Sequence, residues 1–366
     1  MQLTKNRNHV LEALENKTFF KLICGASFND LKIIENLSFV FSLAGAHVID
    51  LAPTADVILA AREGIRRAIE YLTLNTQFSQ HLTLTTWHDP MLMASIQIDK
   101  DPHFRKVYLD QELCDLCGAC VKICPTEAFN ILSGNGDLKE DKQFYYYQER
   151  CYGCGACPSS CHVSALSMIE IKPSPRETLQ DMILLGVKAI EFHFGKNYSK
   201  IQEVWEGTKD LVKEVELMSF SIGSGLLSDN ELKEAANLCY KLAGEGIILQ
   251  CDGTPMSGGL HKSFINGNNR DKGDNGDKGD NGDKESLRVA RIIKEEKLPV
   301  YLQISGGTNH KSFSKAVQSG LDINGVAVGS FARKLLLPYI ENLNDSNLKE
   351  AVNLAKVLIH SSGGIK

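Results

Sequence analysis

KAIEFHFGKNYSKIQEVWEGTKDLVKEVELMSFSIGS, Lys188–Ser224, reads as strand, helix, strand. Its two ends are short, nearly continuous apolar runs, the pattern of strands buried on both faces of a parallel sheet. The middle has apolar residues at helical spacing, with charges between them. Working outward, the same unit recurs. Strand-like runs occupy Phe19–Ser27, His47–Pro53, Met91–Asp99, Ile247–Gly253, Val300–Gly307 and Gly325–Ser330, besides Lys188–Gly195 and Leu217–Ser224. Helical patterns follow them at Asp30–Ala44, Ala55–Glu70, Arg176–Leu185, Lys200–Glu214, Asp229–Ala243, Ser286–Glu296, His310–Ser319 and Asn347–Ile359. Eight such units predict a (β/α)8 barrel, with an open doubly wound α/β sheet as the alternative. LTLTTW, Leu82–Trp87, reads either as an extra short strand or as a loop.

Two segments interrupt the repeat. The first contains CDLCGACVKICP, Cys114–Pro125, and CYGCGACPSSC, Cys151–Cys161. Each is a C-x2-C-x2-C-x3-C run, the spacing of bacterial [4Fe–4S] ferredoxins, in which the fourth cysteine serves the other cluster. The expected sets are Cys114, Cys117, Cys120 and Cys161 for one cluster, and Cys151, Cys154, Cys157 and Cys124 for the other. A zinc site needs two C-x2-C pairs, not three cysteines in a row twice over. His162 stands where the second run would carry its proline. It reads either as a titratable neighbour of a cluster or as a solvated loop residue. The resulting layout is residues 1–104 for the first part of the barrel, 105–171 for a ferredoxin-like α+β domain with two clusters, and 172–366 for the rest of the barrel. Because the insert follows the third strand, it rises from the face where barrel active sites lie.

The second interruption, residues 266–284, reads NGNNRDKGDNGDKGDNGDK. It lacks apolar residues that could offset the entropy of ordering, and so reads as a disordered insert.

Other residues suggest chemistry less strongly. LQISGGTN, Leu302–Asn309, and GVAVGSFAR, Gly325–Arg333, place glycines after strands seven and eight, where barrels often cradle a phosphate. Gly306, Gly307, Thr308, Gly329 and Ser330 are the candidate ligands of an FMN or another phosphate-bearing group, with Arg333 as a charge partner. Glycines that merely make tight turns are the plainer reading. Asp50, Asp99, Glu191, His193, Asp252 and Gln303 are candidate mouth residues by position alone. Cys24, Cys239 and Cys251 lie in apolar segments and read as small buried hydrophobes.

A formal charge of −5 argues against nucleic acid as a partner. No apolar run is long enough to span a membrane and no leader is evident, so a soluble, cytoplasmic chain is expected. Oligomeric state is not encoded in any pattern here.

The opening KTFFKLICGASFNDLKIIENLSFVFSLAGAHVIDLAPTADVILAAREGI, Lys17–Ile65, with the two cysteine runs and the distal ISGGTN and GVAVGSFAR, resembles the cyanobacterial light-dependent-period (LdpA) family. The resemblance implies an iron–sulfur protein that feeds light or redox state into the circadian clock by modulating period, with clock input proteins or redox carriers as partners. It transfers the eight cysteines and no catalytic residue. Two classes are therefore expected: a redox-sensing regulatory protein, or a flavin (FMN)-type barrel oxidoreductase supplied with electrons by the clusters.

Overall fold

A computed structural model describes residues 2–74, 87–99, 104–133, 142–151, 153–170, 174–223, 227–253 and 283–363. All eight apolar runs are strands: β1 (Phe19–Gly25), β2 (Val48–Leu51), β3 (Met91–Gln97), β8 (Ala189–His193), β9 (Leu217–Gly223), β10 (Ile248–Asp252), β11 (Tyr301–Ser305) and β12 (Gly325–Val328). They pair in parallel and close in the order β1-β12-β11-β10-β9-β8-β3-β2. The pairing of β1 with β12, Phe19 opposite Gly325 and Leu22 opposite Val328, excludes the open sheet. Between β3 and β8 lie β4 (Arg105–Leu109), β5 (Phe129–Ser133), β6 (Lys142–Tyr146) and β7 (Leu166–Glu170), which form two small antiparallel pairs, β4 with β7 and β5 with β6.

Strand alternation sorts the side chains. Phe20, Leu22 and Cys24 of β1 face outward into the layer under the helices. Phe19 faces inward with Val48, Met91, Ala189, Leu217 and Ile248. These residues begin their strands, so they form an apolar floor at the barrel's N-terminal end. The helix Gln2–Glu15 covers this floor with Val10, Ala13 and Leu14. Neither this helix nor the one at Ser330–Ile340 was evident as a helical pattern in the sequence. Among the others, Asp30 caps Leu31–Ala44 by accepting from the Ile33 N–H at 3.2 Å. Ser228 and Glu231 form a capping box on Asp229–Ala243.

The last two residues of the expected insert, Asp283 and Lys284, belong to the folded barrel. Asp283 is fully buried and accepts from Ser312 Oγ at 2.6 Å and Lys315 Nζ at 3.0 Å, just before the helix Lys284–Lys294. Residues 266–282, and 82–86 of the LTLTTW segment, lie outside the described residues. No helix among the described residues is long and apolar enough to cross a membrane. Cys24, Cys239 and Cys251 are fully buried, as expected, and burial raises all three thiols, Cys24 to about 12.

A histidine stack sits beside the floor. The His9 ring lies 5.0 Å from that of His47 and 4.2 Å from that of His88, and His47 Nδ1 accepts from the Phe20 N–H at 3.1 Å. Burial, helped by His9, lowers His47 to about 3; burial, helped by His88, lowers His9 to about 4. Below the ordinary histidine range near 6.5 the unfolded chain binds protons that the folded chain refuses. The stability these groups contribute is thus complete at neutral pH and is lost as pH falls. For His47, the stability gap between the native protein and His47→Gln is expected to change by about 2–3 kcal/mol in the variant's favour from pH 7 to 4.5. Denaturant melts at the two pH values measure it, and a constant gap would contradict the assignment.

Candidate metal centre and barrel mouth

The insert is built twice from one plan. Cys151, Cys154, Cys157 and Cys161 repeat Cys114, Cys117, Cys120 and Cys124. The backbone repeats with them. Gly118 and Gly155 share φ 76° and ψ 8°, and each caps a five-residue helix, Ala119–Ile123 or Ala156–Ser160. Glu127 and Ser164 both take left-handed φ, 52° and 56°. The fourth thiol of each run accepts a backbone N–H: Cys124 Sγ from Ala128 at 3.3 Å, and Cys161 Sγ from Ala165 at 3.2 Å. Val107, Ala128, Phe129 and Leu166 form a small core beside these thiols.

The two runs cross in space. Cys114, Cys117 and Cys120 line one pocket together with Cys161 of the other run. Leu109, Phe144, Val163 and Leu166 supply apolar wall to the same pocket. Cys157 is buried; burial and then its neighbours Cys154, Cys151, Cys124 and Cys120 raise its thiol. Burial likewise pushes Cys120 up to about 11. Thiols so placed are costly to ionise unless a metal centre takes up the charge. Soft thiolate donors, an apolar wall and N–H groups aimed at sulfur fit an iron–sulfur cube at each set.

His162 is an exposed loop residue, as one of its two readings had it. Its Nε2 lies 3.0 Å from Asp115 Oδ2, and Asp115 Oδ1 accepts from the Cys117 N–H at 3.2 Å. The residue that replaces the second proline thereby ties one run to the other.

The repeat breaks at one informative position. Leu116 has φ 61°, and its counterpart Gly153 has φ 74°. A Cβ on Gly153 would stand 2.4 Å from Arg105 O, where β4 begins. Gly153→Ala therefore meets both an unfavourable φ and a backbone clash, and is expected to cost about 3 kcal/mol or more and to release iron from the adjacent cluster. Leu116→Gly is expected to be nearly neutral. Thermal melts with iron analysis test the pair; equal behaviour of the two variants would contradict the asymmetry.

The insert is docked on the barrel mouth. Lys106 is buried and donates to Asn29 Oδ1 at 3.1 Å, to Gln148 O at 2.8 Å and to Cys151 O at 2.6 Å. Burial lowers it to about 8, against the pull of Cys151 and Glu149. Arg150 Nε donates to Asp30 Oδ2 at 3.1 Å, and the Asn29 N–H to Glu149 O at 3.0 Å. Asn29 and Asp30 follow β1, so the second cysteine run rests on a mouth loop. Phe104, at the root of the insert, sets its ring edge-on to His193, 5.7 Å away.

Above the apolar floor the barrel interior turns polar. Lys21 on β1 forms a fully buried ion pair with Glu191 Oε2 on β8. The same oxygen accepts from Ser219 Oγ at 2.6 Å, while Oε1 accepts from Gln250 Nε2 at 2.8 Å and lies 3.0 Å from His193 Nε2. Gln303 Nε2 donates to Gln250 Oε1 at 2.6 Å. Ser95 Oγ donates to Asp50 Oδ1 at 2.9 Å, and Ser221 Oγ to Asp252 Oδ2. Burial works against ionising Glu191, but Lys21 and His193 hold it well below the usual carboxylate range. Burial raises Asp50 to about 6, partly offset by Lys21 and reinforced by Glu191.

Asp50, Glu191, His193, Asp252 and Gln303 are thus brought into one polar interior, as their strand-end positions suggested. Asp99 is not part of it; its carboxylate is held by Lys200 at 2.8 Å. Lys21 was missed, although alternation in FFKLICG puts it on the inward parity of Phe19. Arg333 lies beside the candidate ligand Ser330, with Nη2 3.4 Å from Ser330 Oγ. Its Nη1 is spent on Ile23 O at 2.8 Å and Cys24 O at 2.7 Å. Thr308 and Gly329 do lie on adjacent loops, since Thr308 Oγ1 donates to Ala327 O. Gly306, at φ 77°, has a structural reason of its own: a Cβ there would stand 2.6 Å from Gly253 N.

Comparison with known proteins follows these features. Residues 182–265 and 272–361 match the family model "Light dependent period A C-terminal domain", and residues 113–165 match "4Fe-4S dicluster domain". The chain is 29% identical over 346 residues to "Light dependent period A" of Synechococcus elongatus, covering 91% of this chain and 85% of that protein. Among solved structures, it is similar to a dihydrodipicolinate synthase from Oceanobacillus iheyensis, at 11% identity and TM-score 0.35, over 95% of this chain and 80% of that one. A tryptophan synthase chain from Pyrococcus furiosus matches at 12% identity and TM-score 0.40, over 95% and 98%. The chain thus carries a Light dependent period A C-terminal domain behind a 4Fe-4S dicluster domain, which makes it an iron–sulfur protein similar over most of its length to Light dependent period A.

Proposed function

We propose that the chain is a redox relay with two [4Fe–4S] clusters, which passes light or redox state to the circadian clock and so modulates its period. The supporting observation is the crossing of the runs, with Cys161 completing the cavity of Cys114, Cys117 and Cys120. Cys151, Cys154, Cys157 and Cys124 form the second set. When bound, each cluster supplies one-electron storage. The protein's residues hold, shield and report that state. Phe144, Leu109 and Leu166 supply apolar wall to the first set, and the Ala128 and Ala165 N–H groups stabilise charge on sulfur. Lys106 and Arg150 bind the second run to the loop after β1, so a change of charge among the thiolates reaches the barrel surface. Partners of this surface are clock input proteins or redox carriers of the cytoplasm.

A second reading is an FMN-type barrel oxidoreductase. It rests on Gly306, Gly307 and Thr308 lying beside Gly329 and Ser330, which open the helix Ser330–Ile340. The spectrum of anaerobically purified protein separates the two. The relay predicts a broad iron–sulfur shoulder that bleaches reversibly on reduction, without flavin bands. Flavin bands would favour the oxidoreductase. In a cyanobacterium carrying this chain, Cys114→Ala/Cys151→Ala should abolish the difference in period between two light intensities. An unchanged difference would overturn the relay.

A further inference from the structure

The polar interior of the barrel contains a cluster that the relay does not use. Asp50 on β2, Glu191 and His193 on β8 place one potential ligand atom each within 4.8 Å of the others, and all three are buried. Between β2 and β8 runs β3, whose Gln97 pairs in register with His193. By the alternation that turns Ser95 toward Asp50, Gln97 faces the same interior. Gln97 is 6% exposed and its Oε1 has no hydrogen-bond partner among the described residues; the same holds for Oε1 of the fully buried Gln303. A buried carbonyl oxygen left unsatisfied costs about 1–3 kcal/mol, so these two amides point to a ligand that accepts their lone pairs.

We propose that Asp50, Glu191 and His193, with the amide oxygen of Gln97, bind one divalent first-row metal ion in the barrel mouth. The site is independent of the cysteine clusters and of the relay reading. One imidazole with carboxylate and carbonyl oxygens is a donor set that suits manganese or zinc rather than softer ions. The surrounding groups orient these donors. Lys21 and Ser219 occupy Glu191 Oε2, on the floor side next to Met93, and turn Oε1 toward His193. Ser95 occupies Asp50 Oδ1 and leaves the other oxygen for the ion. Such fixing of the atoms that do not ligate is typical of metal sites. Formal charge agrees. Asp50, Glu191 and Asp252 face one lysine, and a dication balances the remainder.

The test is equilibrium dialysis of the anaerobically purified, cluster-containing protein against Mn²⁺ and, separately, Zn²⁺, with metal analysis and, for Mn²⁺, electron paramagnetic resonance. The expected result is about one ion per chain beyond the cluster iron. Asp50→Asn and His193→Gln should each weaken binding by about 100-fold or more, and Ser95→Ala by about 10-fold. Asp115→Asn/His162→Gln, which alters the exposed group beside Cys117, should leave binding unchanged. The folded state of each variant is checked by thermal melting, and Ser95→Ala keeps the test open where the ligand variants fail to fold. No stoichiometric binding of either ion, or binding lost only in the Asp115/His162 variant, would overturn the site.

Discussion

Cys161→Ser is expected to remove about half of the iron and sulfide, and to empty the set formed by Cys114, Cys117 and Cys120. The ferredoxin spacing already assigns Cys161 to the other run. The pocket shared by Cys114, Cys117, Cys120 and Cys161 supports that assignment. Serine replaces a soft thiolate with a harder, less acidic oxygen and removes the Sγ that accepts the Ala165 N–H at 3.2 Å. Electron paramagnetic resonance of the reduced variant, with Cys114→Ser and Cys154→Ser as references, identifies the surviving cluster. Cys161→Ser should resemble Cys114→Ser. Resemblance to Cys154→Ser would mean that the runs do not cross.

The second large effect lies in the barrel. Lys21→Met is expected to destabilise the protein by about 3–5 kcal/mol, because Glu191 is then ionised and buried without its ammonium partner. That is a large fraction of the stability of a typical domain. Lys21→Met/Glu191→Gln should recover most of the loss, since a neutral amide still accepts from Ser219 and removes the uncompensated charge. Urea unfolding of both variants decides it. A double variant no better than the single would show that Lys21 acts through packing against Met93 and not through charge.

Much of this architecture was legible in the sequence for simple reasons. Strands sheltered on both faces must be apolar almost throughout, so runs such as IILQCDG stand out from their amphipathic neighbours. Cluster ligands obey fixed spacings, and the repeated glycines follow from them. The misses have physical causes too. Barrel closure, expected from the count of eight βα units, is not among them, and the pairing of β1 with β12 bears it out. The first helix buries Val10, Ala13 and Leu14 near its C-terminal end, a stretch too short to stand out as a helical pattern. The helix Ser330–Ile340 contains Pro338, which reads as a breaker. Polar residues inside a barrel, such as Lys21, Ser219 and Gln250, look like flaws in apolar strands until their partners on other strands are known.

The most direct test of the central claim is the iron, sulfide and zinc content of the full chain purified without oxygen. Two [4Fe–4S] clusters on the eight cysteines predict about eight iron and about eight sulfide per chain. Stoichiometric zinc in place of iron would contradict the account.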